Sequence, residues 1–143
     1  MHRRKLSGFV VTMLSTVFVV GLVIADEKSK THLAMEKIQI RHTAILKTVK
    51  NAANFKKGQK DVVTAAEEIS KIAKTVRDET EPATAKKQPQ AKWTAYMDAL
   101  IKETDGFSKA AGKSDADQGT LKKAYNAVSK ACSDCHHDFK EEE

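Results

Sequence analysis

The pentapeptide Cys132-Ser133-Asp134-Cys135-His136, close to the C-terminus, decides how the rest of the chain is interpreted. It has the spacing C-x-x-C-H, which is the attachment motif of a c-type haem. Positions i, i+3 and i+4 of a helix share one face, so both thiols and the imidazole point the same way. The thiols can then add to the two vinyl groups of one haem while the imidazole reaches its iron. The motif predicts one covalent haem c, attached at Cys132 and Cys135, with His136 as the proximal iron ligand.

The C-x-x-C pair has other interpretations. It could be half of a zinc site, but the chain holds only two cysteines, and tetrahedral zinc would need further ligands from elsewhere. It could be a thioredoxin-like redox pair, although that motif accompanies a βαβ unit and no strand pattern is visible here. It could also be a structural disulfide. Motif, export signal and helical context agree, and together they favour haem attachment.

Residues 1–25 have the three parts of a secretory signal peptide. The basic segment His2-Arg3-Arg4-Lys5 precedes a nearly unbroken apolar run from Phe9 to Ile24, and Val23-Ile24-Ala25 offers a small-residue cleavage site. The alternative is an uncleaved membrane anchor, but the run is shorter than the about 20 residues of a typical spanning helix. We therefore expect a mature domain of residues 26–143 in the periplasm, where haem attachment of this kind takes place.

The chain is only mildly basic. Its formal net charge is +6, and three of these positive charges lie within residues 1–25, which contain no acidic residue. The balance that remains is too weak to indicate a nucleic-acid partner. We find no nucleophile-and-base motif and no phosphate-binding loop, so nothing in the pattern indicates an enzyme.

Apolar residues recur at helical spacing in four segments. The first is capped by Ser29 or Thr31 and is expected to end near Phe55, because Lys56-Lys57-Gly58-Gln59 indicates a turn. The second is expected to start at an Asp61 cap. Residues 77–90 contain both prolines and are interpreted as a long connection. The inward positions are Met35, Ile38, His42, Ile45, Val49 and Ala52; Val62, Ala66, Ile69, Ile72 or Ala73, and Val76; Trp93, Met97, Leu100, Ile101, Thr104, Phe107 and Ala111; Leu121, Ala124 or Tyr125, Val128, Cys132, Cys135 and Phe139.

Four amphipathic helices without a strand pattern predict an all-α domain, built as an antiparallel up-down-up-down four-helix bundle. Both cysteines lie on the inward stripe of the last helix, where a flat apolar cofactor would lie. A bundle of this size has a small core, so a haem would supply much of its apolar contact. We therefore expect the chain to be poorly ordered without haem.

The ending of the chain resembles that of the cytochrome c′ group, which are exported four-helix bundles with one haem on the last helix. Phe139 and Lys140 follow His136 by three and four positions, and Trp93 opens the third helix, as in many members. The resemblance implies that Lys140 lies beside the proximal imidazole and tunes it. It also implies a homodimer formed through the first two helices.

The resemblance extends to the first helix, where the group often has an arginine four residues before the distal residue. Arg41 and Ile45 have this spacing, although the group usually has leucine or methionine at the distal position. Arg41 could pair with a haem propionate, and the alternative is a solvated surface arginine.

The ligand on the other side of the iron has three candidates. In an antiparallel bundle the end of the last helix is level with the start of the first, so the partner of His136 is expected there. Met35 meets this requirement, and thioether and histidine are a recognised pair of haem iron ligands. His42 lies two turns further along the same stripe, and the alternative role is an ordinary hydrogen-bonding histidine. The third alternative is an open iron site under Ile45 or Leu46.

A six-coordinate haem predicts a one-electron carrier whose partners are redox proteins, because it passes an electron without ligand exchange. A five-coordinate iron in an apolar pocket would instead bind nitric oxide or carbon monoxide. A third alternative is an exported helical interaction module without haem.

Overall fold

The computed structural model describes residues 28–140, and every regular element in this range is a helix. The helices are α1 (Lys30–Val49), α2 (Ala52–Val76), α3 (Glu81–Ala85), α4 (Gln90–Ala111) and α5 (Gln118–Phe139). The prediction of an all-α domain is confirmed. The predicted signal peptide, residues 1–25, lies outside the described residues. None of the described helices is long and apolar enough to cross a membrane.

The first helix begins where it was predicted to begin and ends earlier. Ser29 caps α1, because its Oγ accepts a hydrogen bond of 3.1 Å from the backbone N–H of His32. The helix ends at Val49, and Asn51 caps α2 by accepting hydrogen bonds of 2.8 and 3.3 Å from two N–H groups of its first turn. The predicted end near Phe55 is therefore wrong, because a side-chain cap starts the next helix before that residue.

Gly58, interpreted as part of a turn, lies inside α2. Its backbone has φ −104° and ψ 15°, which kinks the helix without ending it. A Cβ at this position would meet Cγ2 of Thr48 in α1 at 3.0 Å, so the glycine permits the two helices to approach closely. Asp61, predicted as a cap, is an exposed residue within α2.

Residues 77–90, predicted as a long connection, contain the short helix α3. Pro82 lies in the first turn of α3, where its missing N–H leaves no hydrogen bond unmade. Pro82 and Ala83 are buried, and α3 contacts α4. A five-residue helix is too short to show a periodic apolar pattern, so the periodicity did not indicate it.

The inward stripes of the last two long helices form much of the core. The residues of the predicted α4 stripe that are buried are Trp93, Met97, Leu100, Thr104, Phe107 and Ala111. Those of the α5 stripe are Leu121, Tyr125, Val128 and Cys135, whereas Cys132 and Phe139 are half-buried. Helix α5 contacts both α1 and α4, and α2 contacts the same two helices. The cysteine-bearing end of α5 therefore lies against two neighbours.

Candidate cofactor site

The two cysteines and the histidine of the C-x-x-C-H motif lie in the last turns of α5. Both thiols are free, with Cys135 buried and Cys132 half-buried. Burial raises the pKa of the Cys132 thiol. Burial, followed by the charges of Cys132 and Asp138, raises the pKa of Cys135 to about 12. Both sulfur atoms therefore carry their protons at neutral pH, and they lie in apolar surroundings.

Two cavities meet at this end of α5. The larger encloses about 260 Å³ between the start of α1, α3, the start of α4 and the end of α5. The smaller encloses about 30 Å³ and lies between α1, α4 and α5. Three side chains line both cavities, and these are Met35, Cys135 and His136. Cys132 lines the smaller one.

Met35 is therefore brought to the same place as the haem motif. The sequence argument placed it level with His136 from the expected direction of the first and last helices, and the structure puts the two side chains on the walls of the same cavities. Met35 is half-buried: its side chain packs against the core and remains partly exposed to solvent. Its binding to iron stays a prediction.

His42 lies deeper along α1 and lines only the smaller cavity. Its Nε2 is 3.1 Å from Oγ of Ser129, and its ring stacks on Tyr125 with ring centres 5.0 Å apart. Burial, followed by the charge of His136, lowers the pKa of His42. The imidazole is therefore neutral at neutral pH and already has two partners on α5. Binding of iron through Nε2 would require the contact with Ser129 to break.

The two residues proposed to cap an open iron site lie elsewhere. Ile45 is 1% exposed and belongs to the core between the helices, and Leu46 is packed against that core. Neither residue lines the larger or the smaller cavity. Any open space beside His136 is bounded instead by side chains nearer the start of α1.

Arg41 is not brought together with the motif. Its guanidinium is exposed and pairs with Glu68 of α2. It lines a separate groove on the outer side of α1 and α2, together with Lys37, Ile40 and Lys71. In this structure the predicted role of Arg41 toward a haem propionate has no geometric support, because α1 turns this side chain toward α2 rather than α5.

The basic residue at the end of the motif shares a cavity with the histidine of the motif, and its tuning of a proximal ligand stays a prediction. Lys140 lines the larger cavity beside His136, and its backbone N–H donates to the carbonyl of His136 at 3.1 Å. Partial burial, followed by the positive charge of Lys140, lowers the pKa of His136. The neutral form keeps a nitrogen lone pair that can bind a metal. His137 is exposed, as predicted.

The sequence argument missed several residues of the cavity walls. Pro82 and Ala85 of α3 line the larger cavity, and Tyr96 and Met97 of α4 line the smaller one. Met97 is 1% exposed and is a second thioether at the site. Its place on the α4 stripe indicated only a core residue. A signal for α3 was the proline that precedes small residues, which is typical of a first helical turn.

The residues that meet here fit a haem. Its attachment needs two free thiols one helical turn apart, an imidazole beside them and apolar walls, and the walls of the larger cavity include Pro82, Trp93 and Phe139. Within residues 28–140, no group of three or more His, Cys, Asp or Glu side chains is placed to hold a metal ion.

No protein-family model matches the chain, and no curated protein or solved structure matches it.

Proposed function

We propose that this chain is an exported one-electron carrier with a single covalent haem c. Cys132 and Cys135 hold the haem through thioether bonds, and His136 and Met35 bind its iron. The observation that carries the proposal is that Met35, Cys135 and His136 line the same two cavities, although α1 and α5 are far apart in the sequence. The expected partners are redox proteins, and the chain is also expected to form a homodimer.

The fold proposed for this carrier is an antiparallel up-down-up-down bundle of α1, α2, α4 and α5. Hydrogen bonds between opposite helix ends support it. Trp93 Nε1 at the start of α4 donates to the carbonyl of Val76 at the end of α2, at 2.9 Å. Gln118 Nε2 at the start of α5 lies 3.1 Å from the carbonyl of Lys50, just after α1. The bundle and its C-terminal motif together support membership of the cytochrome c′ group, which the ending of the chain resembles.

A bound haem would supply an iron that gains and loses one electron reversibly. The residues of the chain would perform three tasks around it. The thiols of Cys132 and Cys135 would hold the haem, each by addition of S–H across one vinyl double bond, so that a C–S and a C–H bond form and no group leaves. His136 and Met35 would ligate the iron, and a thioether ligand would raise its reduction potential. The apolar side chains among the cavity walls, such as Trp93, would limit the access of water.

Absorption spectra of two matched variants test the ligand pair. Met35→Leu and Met97→Leu each remove one thioether from the wall of the smaller cavity and nearly conserve side-chain volume. The reduced wild-type protein should be low-spin with sharp α and β bands, and so should Met97→Leu. Met35→Leu should become high-spin and bind carbon monoxide. A high-spin wild type, or an unchanged spectrum for Met35→Leu, would contradict the assignment of Met35.

A gas-binding protein is the second candidate, and one observation favours it. The smaller cavity encloses only about 30 Å³, and its walls include the apolar side chains of Ile38 and Leu100. A space of this size has room only for a small molecule, and its apolar walls favour an uncharged one. Rapid binding of carbon monoxide by the wild-type protein would support this candidate, whereas slow binding would support a ligand already in place.

A further inference from the structure

The last turn of α5 is tied to α4 by a polar contact that the proposed ligand set does not use. The hydroxyl of Tyr96 donates a hydrogen bond to Oδ2 of Asp138, and Nζ of Lys92 lies 3.0 Å from the same oxygen. The Asp138 side chain is only 16% exposed. Lys92 and Tyr96 are four residues apart on α4, so both reach the carboxylate from one face.

An aromatic contact joins the same two helix ends. The ring of Phe139 meets Trp93 and Tyr96 edge-on, with ring centres 5.3 and 5.9 Å apart. Trp93 is itself fixed by its hydrogen bond to the carbonyl of Val76. Two successive residues at the end of α5, Asp138 and Phe139, are therefore held by α4. Helix ends ordinarily fray, but the contacts of Asp138 and Phe139 with α4 hold the last turn of α5 in place.

His136 lies in the turn that these contacts hold. Among the described residues, no side chain donates to or accepts a hydrogen bond from its imidazole. His136 is exposed, so its imidazole is placed by its own rotamer and by the backbone of the last turn, and that backbone is held by Asp138 and Phe139. In metal sites, the outer contacts that fix a ligand's orientation change affinity and tuning nearly as much as the ligand itself.

We propose that Tyr96 and Asp138 are positioning residues for the proximal ligand. Their hydrogen bond holds the last turn of α5 against α4, so that the imidazole of His136 faces the cavity that it shares with Met35. This inference rests on the proposed function, because it assumes that His136 binds haem iron.

The test is resonance Raman spectroscopy of the ferrous haem protein, which reports the iron–histidine stretching band when the iron is five-coordinate. The iron should be five-coordinate in the Met35→Ala variant, which therefore serves as the parent protein for the other substitutions. If Met35 is not a ligand, the iron is five-coordinate in the wild type, which then serves as the parent. Tyr96→Phe removes only the hydroxyl and keeps the ring against Phe139. We expect it to shift or broaden the band, and Asp138→Ala to do the same. Asp138→Asn keeps an acceptor oxygen for Tyr96 and should restore a band close to that of the parent protein.

The matched control is Tyr125→Phe, which removes the hydroxyl of the other tyrosine, on α5 and outside both cavities. It should leave the band unchanged. A Tyr96→Phe protein with an unchanged band and a lowered melting temperature would show that the contact is only structural, and it would overturn this inference alone. A mature protein without haem would overturn the proposed function together with this inference.

Discussion

At the scale of single residues, the neutral form is favoured for four groups that line the two cavities, Cys132, Cys135, His42 and His136. Burial raises the pKa of both thiols and lowers that of His42 and His136, because an apolar environment disfavours the charged form in each case. The identity of the motif residues could be predicted from their spacing. Their protonation could not, because it depends on burial by side chains of α1 and α4.

One residue whose charge should matter for stability is Asp98. Nε and Nη2 of Arg77 donate to its two carboxylate oxygens at 2.6 and 2.9 Å, and this pairing lowers the pKa of Asp98 from 3.8. A lowered folded-state pKa means that the stabilisation is present above about pH 3.8. It is lost as pH falls through the folded-state pKa. Asp98→Asn should therefore lower the melting temperature at neutral pH, and this difference from wild type should shrink in acid.

The control for this prediction is Asp105→Asn. Asp105 joins the same pair of helices through a longer contact, 3.9 Å from Nζ of Lys74, and its removal should change the melting temperature little. A difference between Asp98→Asn and wild type that stays constant from neutral pH to strong acid would contradict the role assigned to the Arg77 pair.

At the scale of the helices, the interior stripes were easier to predict than the helix ends. The α4 stripe from Trp93 to Ala111 is buried apart from the half-buried Ile101, because its period of 3.6 continues over about five turns. The boundary between α1 and α2 was misplaced, because Gly58 was interpreted as a stop signal while Asn51 was not recognised as a cap. A glycine can serve a close helix contact as well as a turn, and the sequence pattern does not distinguish the two.

Two glycines in helix interiors, Gly58 and Gly106, should respond differently to alanine. Nothing lies within 4 Å of a Cβ at Gly106 in α4, so Gly106→Ala should raise the free energy of unfolding by about 0.5–1 kcal/mol. Gly58→Ala should raise the free energy of unfolding by less than Gly106→Ala does, or should lower it. The reason is that the new Cβ would press on the methyl group of Thr48. The Thr48 hydroxyl is bound to the carbonyl of Ala44 at 3.1 Å. Urea unfolding of both variants measures this, and an equal gain at the two positions would contradict the close contact between α1 and α2.

At the scale of the whole molecule, the expected direction of the helices selected Met35, because the start of the first helix should face the end of the last. Met35 lines the cavities beside His136, and its binding to iron stays a prediction. Arg41 was selected from the resemblance in the first helix, and it lies on the side of α1 that faces α2. The wall formed by α3 could not be predicted, because it depends on how the connection folds back onto α4.

The N-terminus of the mature protein tests the export signal, which lies outside the described residues. We expect cleavage after Ala25, because the basic, apolar and small-residue segments of residues 1–25 have the order of a signal peptide. N-terminal sequencing of protein recovered from the periplasm should begin at Asp26. An intact Met1 in the membrane fraction would instead support the anchor interpretation.

The covalent attachment of haem at Cys132 and Cys135 is the claim on which the rest depends, and the mass of the intact denatured chain measures it directly. Protein from a host that matures c-type haem should exceed the mass of the processed polypeptide by one haem, and its colour should survive acid-acetone extraction. The Cys132→Ala/Cys135→Ala double variant, made in the same host, should have the unmodified mass. A wild-type chain of unmodified mass that loses all colour on extraction would contradict the account.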